Sequence, residues 1–427
     1  MDILVLDGNG PLEGTVRTAG AKNAVLSLLT AALLTEEEVV IENVPDLLDV
    51  RTMLGILSQL GGEVRRPAAG RVAVRMASIP EPIAPWELVR KMRASFEVLG
   101  PMIARCGRAQ VSYPGGCLLG LRPVDVHMKG LSALGARITT EAGYVNAVAP
   151  PGGLRGSEIY LGTPFGSSVG ATRNVLMAAV LAKGTTVLHG AACEPEIVDL
   201  VQCLIKMGAR ILGAGSPTLV IEGVTRLEGT THTVIPDRIE AGTYVAAGAI
   251  TGGRVRVEGC RPDHLTAYLD ALQQAGCPIE RGRDWIETQP RAPSERLRAT
   301  DVTTQPYPGF PTDLQAQWVT LMTLADGISV VTERIFADRY MHLAELARLG
   351  ARLRRQGSSA IVEGRTELSG AKLMASDLRA SAALVIAGLV ARGRTEVHRV
   401  YHIDRGYERI EERLGALGAS IRRAPAE

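Results

Sequence analysis

A single cysteine in an unusual setting is the first candidate for chemistry in this sequence. Cys117 follows two glycines in the stretch SYPGGCLLGLRPVDVH, which also contains Arg122, Asp125 and His127. A thiol near arginines has a lowered pKa and a larger fraction of reactive thiolate, and flanking glycines give a loop that can move over a substrate. From these residues alone, Cys117 could be a buried structural thiol, a metal ligand, half of a disulfide or a reacting group.

The spacing of the six cysteines favours free thiols. They lie at positions 106, 117, 193, 203, 260 and 277, without a C-x-x-C pair or a cysteine–histidine spacing typical of zinc ligands. The initial stretch MDILVLDGNGPLEG lacks a basic region followed by a long apolar one, so we expect no secretory signal. Cysteines of cytoplasmic proteins are usually reduced. We therefore predict a cytoplasmic protein with free thiols and no metal site.

Charged and amide side chains recur at the predicted starts of apolar helices. Examples are Lys22 and Asn23 in AGAKNAVLSLL, Arg93 in RKMRASFEVLG and Arg379 in SDLRASAALVIAG. The start of a helix carries unpaired amides and positive potential, and nearby lysines or arginines strengthen its attraction for anions. The set predicts a ligand with phosphate or carboxylate groups; ordinary caps and surface arginines are the alternative interpretation.

Asp313, in the stretch FPTDLQAQW, is the candidate for proton transfer. An aspartate in the first turn of a helix is often only a cap, but a carboxylate among arginines stays ionised and can take a proton from a hydroxyl. In YHIDRGYERI, His402, Asp404 and Arg405 either face a ligand or brace the turn, whereas His127 is interpreted as structural. Neither a P-loop nor a G-x-G-x-x-G motif is present, which disfavours an ATP- or NAD-dependent enzyme and predicts no cofactor.

An internal repeat indicates how these residues are positioned. A helical run ending in Leu-Gly, Met-Gly or Ala-Gly, followed by a strand-like segment, occurs six times at intervals of 68 to 74 residues. Each glycine is expected to end its helix in the left-handed conformation. Each unit combines an apolar helix, a β-branched strand, an amphipathic helix and further strand. The glycines are Gly61, Gly135, Gly208, Gly276, Gly350 and Gly418.

Six such units in 427 residues predict two α/β domains of three units each. The apolar helices would lie inside and the sheets outside. The junction is predicted near Pro236, and a ligand would bind in a cleft between the domains. Six units arranged in series without a cleft are the alternative.

Charge and hydropathy argue against two classes of partner. The chain has 47 basic and 45 acidic residues and no long basic run, so neither nucleic acid nor a membrane surface is predicted as a partner. The apolar stretch ASAALVIAGLVA lies between Arg379 and Arg392 and is too short to cross a bilayer. It predicts a buried helix.

An ordered series of motifs resembles the UDP-N-acetylglucosamine 1-carboxyvinyltransferase family of enolpyruvyl transferases. The motifs are AGAKNA, PGGCLLGLRPVDVH, GATRN, EPEIVD, PDRIEAGT, FPTDLQAQ, RYMH, SDLRASAALV and YHIDRGYERIEERL. The resemblance implies an α/β fold of two inverse α/β barrel domains, each of three βαβαββ repeats, with an interdomain cleft. The implied domains are residues 22–235, which carry Cys117, and residues 1–21 plus 236–427, which carry Asp313 and Arg405.

The resemblance also implies a reaction. The enolpyruvyl group of phosphoenolpyruvate moves to the 3-hydroxyl of UDP-N-acetylglucosamine and phosphate leaves, by addition and elimination through a tetrahedral phospholactoyl adduct. This is the first committed step of peptidoglycan synthesis. Cys117 matches the family's proton donor, which also forms a covalent adduct with phosphoenolpyruvate and is alkylated by the epoxide fosfomycin. Asp313 matches the residue at the sugar hydroxyl, and Lys22 is implied as a further catalytic residue.

The resemblance assigns further residues to each substrate. The implied phosphoenolpyruvate contacts are Lys22, Asn23, Arg122 and Arg405. The implied sugar-nucleotide contacts are Asn23, Arg93, Arg122, Pro123, Val124, Asp125, Val126, Ser168, Val169, Gly170, Asp313 and Ile335. The implied further cleft positions are Asp49, Arg339, Asp377 and Arg379. One stretch, YLGTPFGSSVGAT, departs from the family because it is longer and lacks the charged residue usual before SVGAT, on the uridine side.

Two other functions are compatible with parts of this pattern. The enolpyruvyl transferase of the shikimate pathway shares the fold and phosphoenolpyruvate, but that family typically has Lys-Ser where this chain has Lys22-Asn23, and it lacks the loop cysteine. A non-catalytic paralogue that binds UDP-sugars is the second alternative. The presence of Cys117, Asp313 and Lys22 argues against it.

Overall fold

The computed structural model describes residues 2–114, 124–292, 294–364 and 367–426. In these residues the strands are β1 (Asp2–Asp7), β2 (Glu13–Arg17), β3 (Glu38–Glu42), β4 (Glu63–Ala68), β5 (Arg71–Arg75), β6 (Ile83–Ala84), β7 (Arg108–Ser112), β8 (Arg137–Glu141), β9 (Tyr144–Val148), β10 (Glu158–Tyr160), β11 (Thr185–His189), β12 (Arg210–Leu212), β13 (Thr218–Glu222), β14 (Thr230–Thr233), β15 (Arg254–Glu258), β16 (Ile279–Arg281), β17 (Trp285–Thr288), β18 (Val302–Thr303), β19 (Ile328–Thr332), β20 (Arg352–Gln356), β21 (Ser359–Glu363), β22 (Lys372–Met374), β23 (Arg394–His398) and β24 (Ser420–Pro425). The α-helices are α1 (Lys22–Ala31), α2 (Leu48–Gln59), α3 (Trp86–Val89), α4 (Leu99–Cys106), α5 (Asp125–Ala133), α6 (Val169–Ala179), α7 (Pro195–Lys206), α8 (Arg238–Thr251), α9 (Thr266–Gln274), α10 (Gln315–Met322), α11 (His342–Arg348), α12 (Leu378–Gly388) and α13 (Ile410–Ala416). Short 3-10 turns cover Ala32–Leu34, Arg93–Val98, Pro262–Leu265, Thr312–Leu314 and Val400–His402.

The described strands form six four-stranded sheets with one common arrangement. In the sheet ordered β6-β7-β9-β8, β6 pairs with β7 in parallel, and β9 pairs antiparallel with both β7 and β8. The chain passes through α4 between β6 and β7, and through α5 between β7 and β8. A parallel pair needs such a helical crossover, whereas the antiparallel pair needs only a hairpin. This is the predicted βαβαββ unit.

Two compact units divide the described chain. One contains residues 20–114 and 124–235, and the other contains residues 2–19 and 236–426. Residues 20 and 21 therefore group with 22–235, whereas the prediction assigned them to the other domain. The backbone gives the reason, because the Ala21 amide donates to the Ile235 carbonyl at 2.7 Å within the first unit.

Each unit includes a sheet completed by a segment distant in sequence. In the first, β14 pairs in parallel with β3, so the last strand of the unit joins its first sheet. In the second, β1 pairs antiparallel with both β23 and β24, and β2 pairs in parallel with β15. Both units thus contain three sheets of the same order.

Apolar helices form the core of each unit. In the first unit these include α1 and α6, and in the second α8, α10 and α12, whose residues are almost all buried. A helix that is apolar on all sides is stable only inside a protein. The strands around them alternate, as in β11, between buried residues and more exposed ones, which is typical of a sheet with one face on the core.

Two local predictions agree with the structure. The stretch ASAALVIAGLVA contains most of the buried helix α12, and no helix in the described ranges is both long and apolar enough to span a membrane. All six repeat glycines have positive φ angles, between 83° and 101°. Because side chains other than glycine rarely adopt these angles, this turn explains why glycine recurs there.

Candidate active site

An ion pair fixes the lysine at the start of α1. Lys22 is the first residue of α1, and Asp49 lies in the first turn of α2. The Lys22 Nζ atom is 2.7 Å from Asp49 Oδ2, and the two side chains are 12% and 3% exposed. The preceding Ala21 has no side-chain acceptor for the first amides of α1. The helix start therefore presents a positioned ammonium beside backbone amides, an arrangement suited to an anion.

A buried glutamate joins three helical segments of the same unit. Glu97 lies in the 3-10 turn before α4, is 4% exposed, and accepts a hydrogen bond from Ser27 Oγ of α1 at 2.9 Å. Its other carboxylate oxygen is 3.3 Å from Nη1 of Arg173 in α6. Burial raises the pKa of the Glu97 carboxyl, and the neighbouring Arg173 charge opposes this. Groups from α1 and α6 thus hold the carboxyl group in an apolar interior.

Arg93 begins the 3-10 turn that contains Glu97 and lies near His127 of α5. The Asn174 Nδ2 atom of α6 is 3.0 Å from His127 Nδ1 and donates to the Phe96 carbonyl at 3.1 Å. Burial and the Arg93 charge lower the pKa of His127 to about 3. His127 is therefore neutral at physiological pH and bridges α5 and α6, as a structural residue would.

The other predicted sugar-nucleotide contacts of this unit lie at the starts of α5 and α6. Ser168 caps α6, and its Oγ accepts a hydrogen bond from the Ala171 amide at 3.3 Å. The remaining positions are Val124 before α5, Asp125 and Val126 at its start, and Val169 and Gly170 at the start of α6. Cys117, Arg122 and Pro123 lie outside the described residues.

A closed turn lies in YLGTPFGSSVGAT, the stretch in which the sequence departs from the family that it resembles. Thr163 and Gly166 exchange backbone hydrogen bonds of 2.8 and 3.0 Å, and Thr163 Oγ1 donates to the Gly166 carbonyl at 2.8 Å. Phe165 lies in this turn and is 67% exposed. The turn therefore presents an aromatic side chain, rather than a charged one, shortly before the cap of α6.

In the other unit, two buried arginines hold Asp313. Arg339 Nη1 donates to Asp313 Oδ1 at 2.7 Å, and Arg379 Nε is 3.4 Å from Oδ2. The arginine side chains are 6% and 2% exposed, and that of Asp313 is 24% exposed. Burial would raise the pKa of Asp313, but the charges of Arg339 and Arg379 outweigh burial and hold the pKa well below its usual range. Asp313 is therefore ionised at neutral pH.

Asp377 places Arg379 by capping α12. Its Oδ1 accepts hydrogen bonds from the amides of Arg379 and Ala380 at 2.9 and 3.1 Å, which satisfies the first amides of the helix. The Arg379 guanidinium carbon lies 5.4 Å from the centre of the Tyr407 ring. Its Nη1 and Nη2 atoms are buried and have no hydrogen-bond acceptor at normal geometry among the described residues, although the guanidinium interacts with the Tyr407 hydroxyl. Buried donors without an acceptor are rare, and these two are suited to an anionic ligand.

A buried glutamate organises the segment that contains Ile335. Glu333 is fully buried, and its Oε1 accepts hydrogen bonds from the amides of Ile335 and the following residue at 2.7 and 3.0 Å. Its Oε2 accepts from Thr312 Oγ1 at 2.8 Å. The Thr312 Oγ1 atom in turn accepts from Arg339 Nη1 at 3.0 Å. The Ile335 segment is thereby joined to the turn that carries Asp313.

The segment around Arg405 contains both braced and candidate residues. Asp404 accepts hydrogen bonds from Nη1 and Nη2 of Arg423 at 3.0 and 2.7 Å, so it braces the turn. Burial and the Arg405 charge lower the pKa of His402, so that ring is neutral at physiological pH. Arg405 itself is half-buried beside it and stays a predicted phosphoenolpyruvate contact.

Three supporting residues were not predicted from the sequence. Glu97, Arg173 and Glu333 each stabilise a segment that carries predicted site residues. A signal was present, because Glu97 and Arg173 interrupt the apolar runs SFEVLGPM and GATRNVLMAAV. A charge inside a buried helix needs a partner, but the sequence does not identify it.

The described cysteines are poor candidates for thiolate chemistry. Burial raises the pKa of Cys203 to about 12 and the pKa of Cys260 and of Cys277 to about 11. It also raises the pKa of Cys106 and Cys193. Within residues 2–114, 124–292, 294–364 and 367–426, no group of three or more His, Cys, Asp or Glu side chains could hold a metal ion.

Comparisons with known sequences show a family relationship over nearly the whole chain. The family model described as EPSP synthase (3-phosphoshikimate 1-carboxyvinyltransferase) matches residues 6–414. The UDP-N-acetylglucosamine 1-carboxyvinyltransferase of Anaeromyxobacter sp. strain Fw109-5 is 53% identical, with 100% of both chains covered. The enzyme of the same name from Coxiella burnetii strain Dugway 5J108-111 is 49% identical, covering 99% of this chain and 96% of the relative.

Solved structures with the same fold are also enolpyruvyl transferases. The enolpyruvyl transferase NikO from Streptomyces tendae has a TM-score of 0.89 and 27% sequence identity, covering 100% of this chain and 99% of that one. The EPSP synthase of Acinetobacter baumannii has a TM-score of 0.75 and 19% identity, covering 99% and 100%, and shows likeness of fold alone. These findings confirm the predicted fold class and the family resemblance.

Proposed function

Because the chain belongs to the UDP-N-acetylglucosamine 1-carboxyvinyltransferase family, we propose that it transfers the enolpyruvyl group of phosphoenolpyruvate to the 3-hydroxyl of UDP-N-acetylglucosamine. Inorganic phosphate is the second product. The structural observation that carries the proposal is the Asp313 carboxylate, kept ionised by Arg339 and Arg379. It provides an acceptor for a substrate hydroxyl beside cations suited to an anionic substrate.

The reaction has two steps, each with defined proton transfers. In the addition, the sugar hydroxyl oxygen bonds to C2 of phosphoenolpyruvate, C3 gains a proton, and a base takes the hydroxyl proton. In the elimination, C3 loses a proton, the bond from C2 to the phosphate oxygen breaks, and the double bond forms again. The protein must therefore supply an acid for C3, a proton acceptor at the hydroxyl, and cations around phosphate and carboxylate.

Asp313 is the proposed acceptor at the sugar hydroxyl. A carboxylate with a strongly lowered pKa is a good hydrogen-bond acceptor but a weak base. With Arg339 at 2.7 Å and Arg379 at 3.4 Å, Asp313 first orients the hydroxyl. Its basicity rises when the Arg379 charge is shared with a bound anion, because the attraction that lowers its pKa is then weaker. Substrate binding thus prepares proton transfer.

Cations at the helix starts are the proposed contacts for phosphoenolpyruvate. Lys22, held by Asp49 at 2.7 Å, and Arg405 bind its phosphate and carboxylate groups together with Arg122. Cys117 is the proposed proton donor to C3, on the strength of its family match.

The remaining proposed contact residues bind the sugar nucleotide, and the exposed turn before α6 is proposed to lie beside it. Ser168 and the two residues after it are proposed to meet the uridine side, with Phe165 in place of the charged side chain usual in the family. Both proposed substrates are small molecules, and neither a nucleic acid nor a membrane is proposed as a partner. The proposal includes a cytoplasmic location.

Phosphate release tests this proposal directly. The purified protein is incubated with phosphoenolpyruvate and either UDP-N-acetylglucosamine or shikimate 3-phosphate, and inorganic phosphate is measured. Release with the sugar nucleotide alone supports the proposal. Release only with shikimate 3-phosphate would assign the chain to the shikimate reaction instead, and binding of the sugar nucleotide without any release would indicate a non-catalytic paralogue.

A further inference from the structure

We propose that Glu97 is a positioning residue for the sugar-nucleotide site, acting through its buried ion pair with Arg173. This inference rests on the proposed function. Glu97 is not itself a proposed substrate contact. It joins the three elements on which several of those contacts lie.

The three side chains of the cluster lie at the same sequence distance from proposed sugar-nucleotide contacts. Ser27 Oγ donates to one carboxylate oxygen of Glu97 at 2.9 Å, and Arg173 Nη1 is 3.3 Å from the other. Ser27, Glu97 and Arg173 each lie four positions after a proposed sugar-nucleotide contact on the same element. These contacts are Asn23 on α1, Arg93 on the 3-10 turn and Val169 on α6. Four residues are about one helical turn. The cluster therefore lies about one turn beyond a proposed sugar-nucleotide contact on each of the three elements.

Burial makes the position of this cluster well defined. The side chains of Arg173 and Glu97 are 6% and 5% exposed, so neither charge can be solvated if the pair separates. Asn174 adds a neutral bond between α6 and the 3-10 turn, because its Nδ2 donates to the Phe96 carbonyl at 3.1 Å. A displacement of α6 relative to the 3-10 turn must therefore break the ion pair and the neighbouring hydrogen bond.

In the second unit, a cluster of neutral side chains joins the helices, also about one turn after a proposed site residue. Gln317 lies four residues after Asp313, and its Nε2 donates to Thr243 Oγ1 of α8 at 3.0 Å. Thr243 Oγ1 is in turn 2.9 Å from the Tyr407 hydroxyl. A neutral cluster is thus sufficient to join such helices. The charge of Glu97 has a separate effect, which is to neutralise Arg173 and to place a negative charge near Lys22.

This comparison suggests a specific pair of variants. Glu97→Gln keeps the shape of the side chain but leaves Arg173 as a buried cation without its counter-charge. The double variant Glu97→Gln/Arg173→Gln replaces the ion pair by two amides, similar to the neutral cluster of the second unit. Asp199→Asn is the matched control, because Asp199 is an acid of the same unit that is equally buried, with Oδ1 2.8 Å from His232 Nε2.

The expected result is a change that affects one substrate. Glu97→Gln should raise the KM for UDP-N-acetylglucosamine by about tenfold, since an uncompensated buried charge displaces the segments around it. The KM for phosphoenolpyruvate should stay within about twofold, because Lys22 keeps its close ion pair with Asp49 and loses only the weaker influence of the Glu97 charge. The double variant should recover a KM for the sugar nucleotide close to that of the wild type. Asp199→Asn should lower Tm and leave both KM values unchanged.

Several outcomes would overturn the inference while the wild type releases phosphate. These are unchanged KM values in a folded Glu97→Gln variant, an equal rise for both substrates, or a folded double variant that is as impaired as the single one. If Glu97→Gln does not fold, the double variant decides, and a raised KM for the sugar nucleotide would count against the inference. A wild type that releases no phosphate would instead contradict the proposed function.

Discussion

Loss of Arg339 should have two measurable effects, one on stability and one on the pH dependence of activity. Arg339→Met removes the hydrogen bond of 2.7 Å to Asp313 and leaves Arg379 at 3.4 Å. Breaking a buried ion pair by removing one partner costs about 3–5 kcal/mol of unfolding free energy. Asp313 is 24% exposed and retains a second arginine, so we expect the lower value, about 3 kcal/mol. For a domain of about 200 residues, this lowers Tm by roughly 6–12 °C.

The effect on pH dependence follows from the lowered pKa of Asp313. The ionised carboxylate contributes stability above its pKa in the unfolded state, and this contribution is lost as the pH falls through the lower pKa of the folded state. In Arg339→Met the pKa of the folded state rises towards its usual range. The acid limb of kcat/KM should therefore move to higher pH. The variant is less stable than the wild type at neutral pH, but the part of its acid destabilisation that comes from Asp313 should be smaller.

The assay is phosphate release between about pH 4 and pH 8, combined with thermal unfolding at each pH. Arg355→Met is the control, because Arg355 Nη2 is 3.0 Å from Asp338 Oδ1 in a pair that is 43% and 61% exposed. An exposed pair contributes at most about 1 kcal/mol, so Tm should change by less than about 4 °C. Equal changes of Tm in the two variants, or an unmoved acid limb in Arg339→Met, would refute this account of Asp313.

Three further predictions concern the cysteines and a buried acid. Cys117→Ser should lose the covalent phosphoenolpyruvate adduct in intact-mass measurements and resist inactivation by fosfomycin; an adduct of unchanged mass would remove Cys117 from the mechanism. Iodoacetamide at about pH 8 should label Cys117 well before Cys203 or Cys277, because only the thiolate reacts and burial raises the pKa of those two to about 12 and about 11; peptide mapping that finds Cys203 labelled first would contradict this. Burial also raises the pKa of Glu240 to about 7, so the folded state binds an extra proton and stability falls as pH rises from about 5 to 7. Glu240→Gln should flatten that decline in thermal melts, and an unchanged slope would count against it.

Local features of the fold could be predicted because they depend on nearby residues. The left-handed helix ends required glycine at Gly61 and at the five matching positions, and φ is positive at each of them. The stretch containing α12 is apolar on all sides and therefore had to be buried. Because the glycine at the helix end and the apolar helix both recur along the chain, they were sufficient to predict two α/β domains of three units.

Long-range partners were not predictable from the same patterns. The pairing of β14 with β3 joins segments about 190 residues apart. Alternation of buried and exposed residues can predict that each segment is a strand, but it does not identify the strand with which it pairs. The same limit applies to the site. Asp313, Asp49 and their basic partners were all identified as candidates, but the sequence did not indicate which of them form ion pairs. The pairing follows from the packing of separate segments of the chain. Glu97 and Arg173 are 76 residues apart and looked like interruptions of two apolar runs.

The placement of β1 and β2 has a consequence for how the chain matures during synthesis. The ribosome makes residues 2–17 before the other described residues, but their partners β15, β23 and β24 lie beyond residue 253. The unit of residues 20–114 and 124–235 closes with its own strand β14, so we expect it to fold while the rest is still being made. The early strands must meanwhile stay unpaired with their backbone amides exposed, a state prone to aggregation. A chaperone that binds nascent chains should therefore contact this first segment for longer than it contacts the residues that follow.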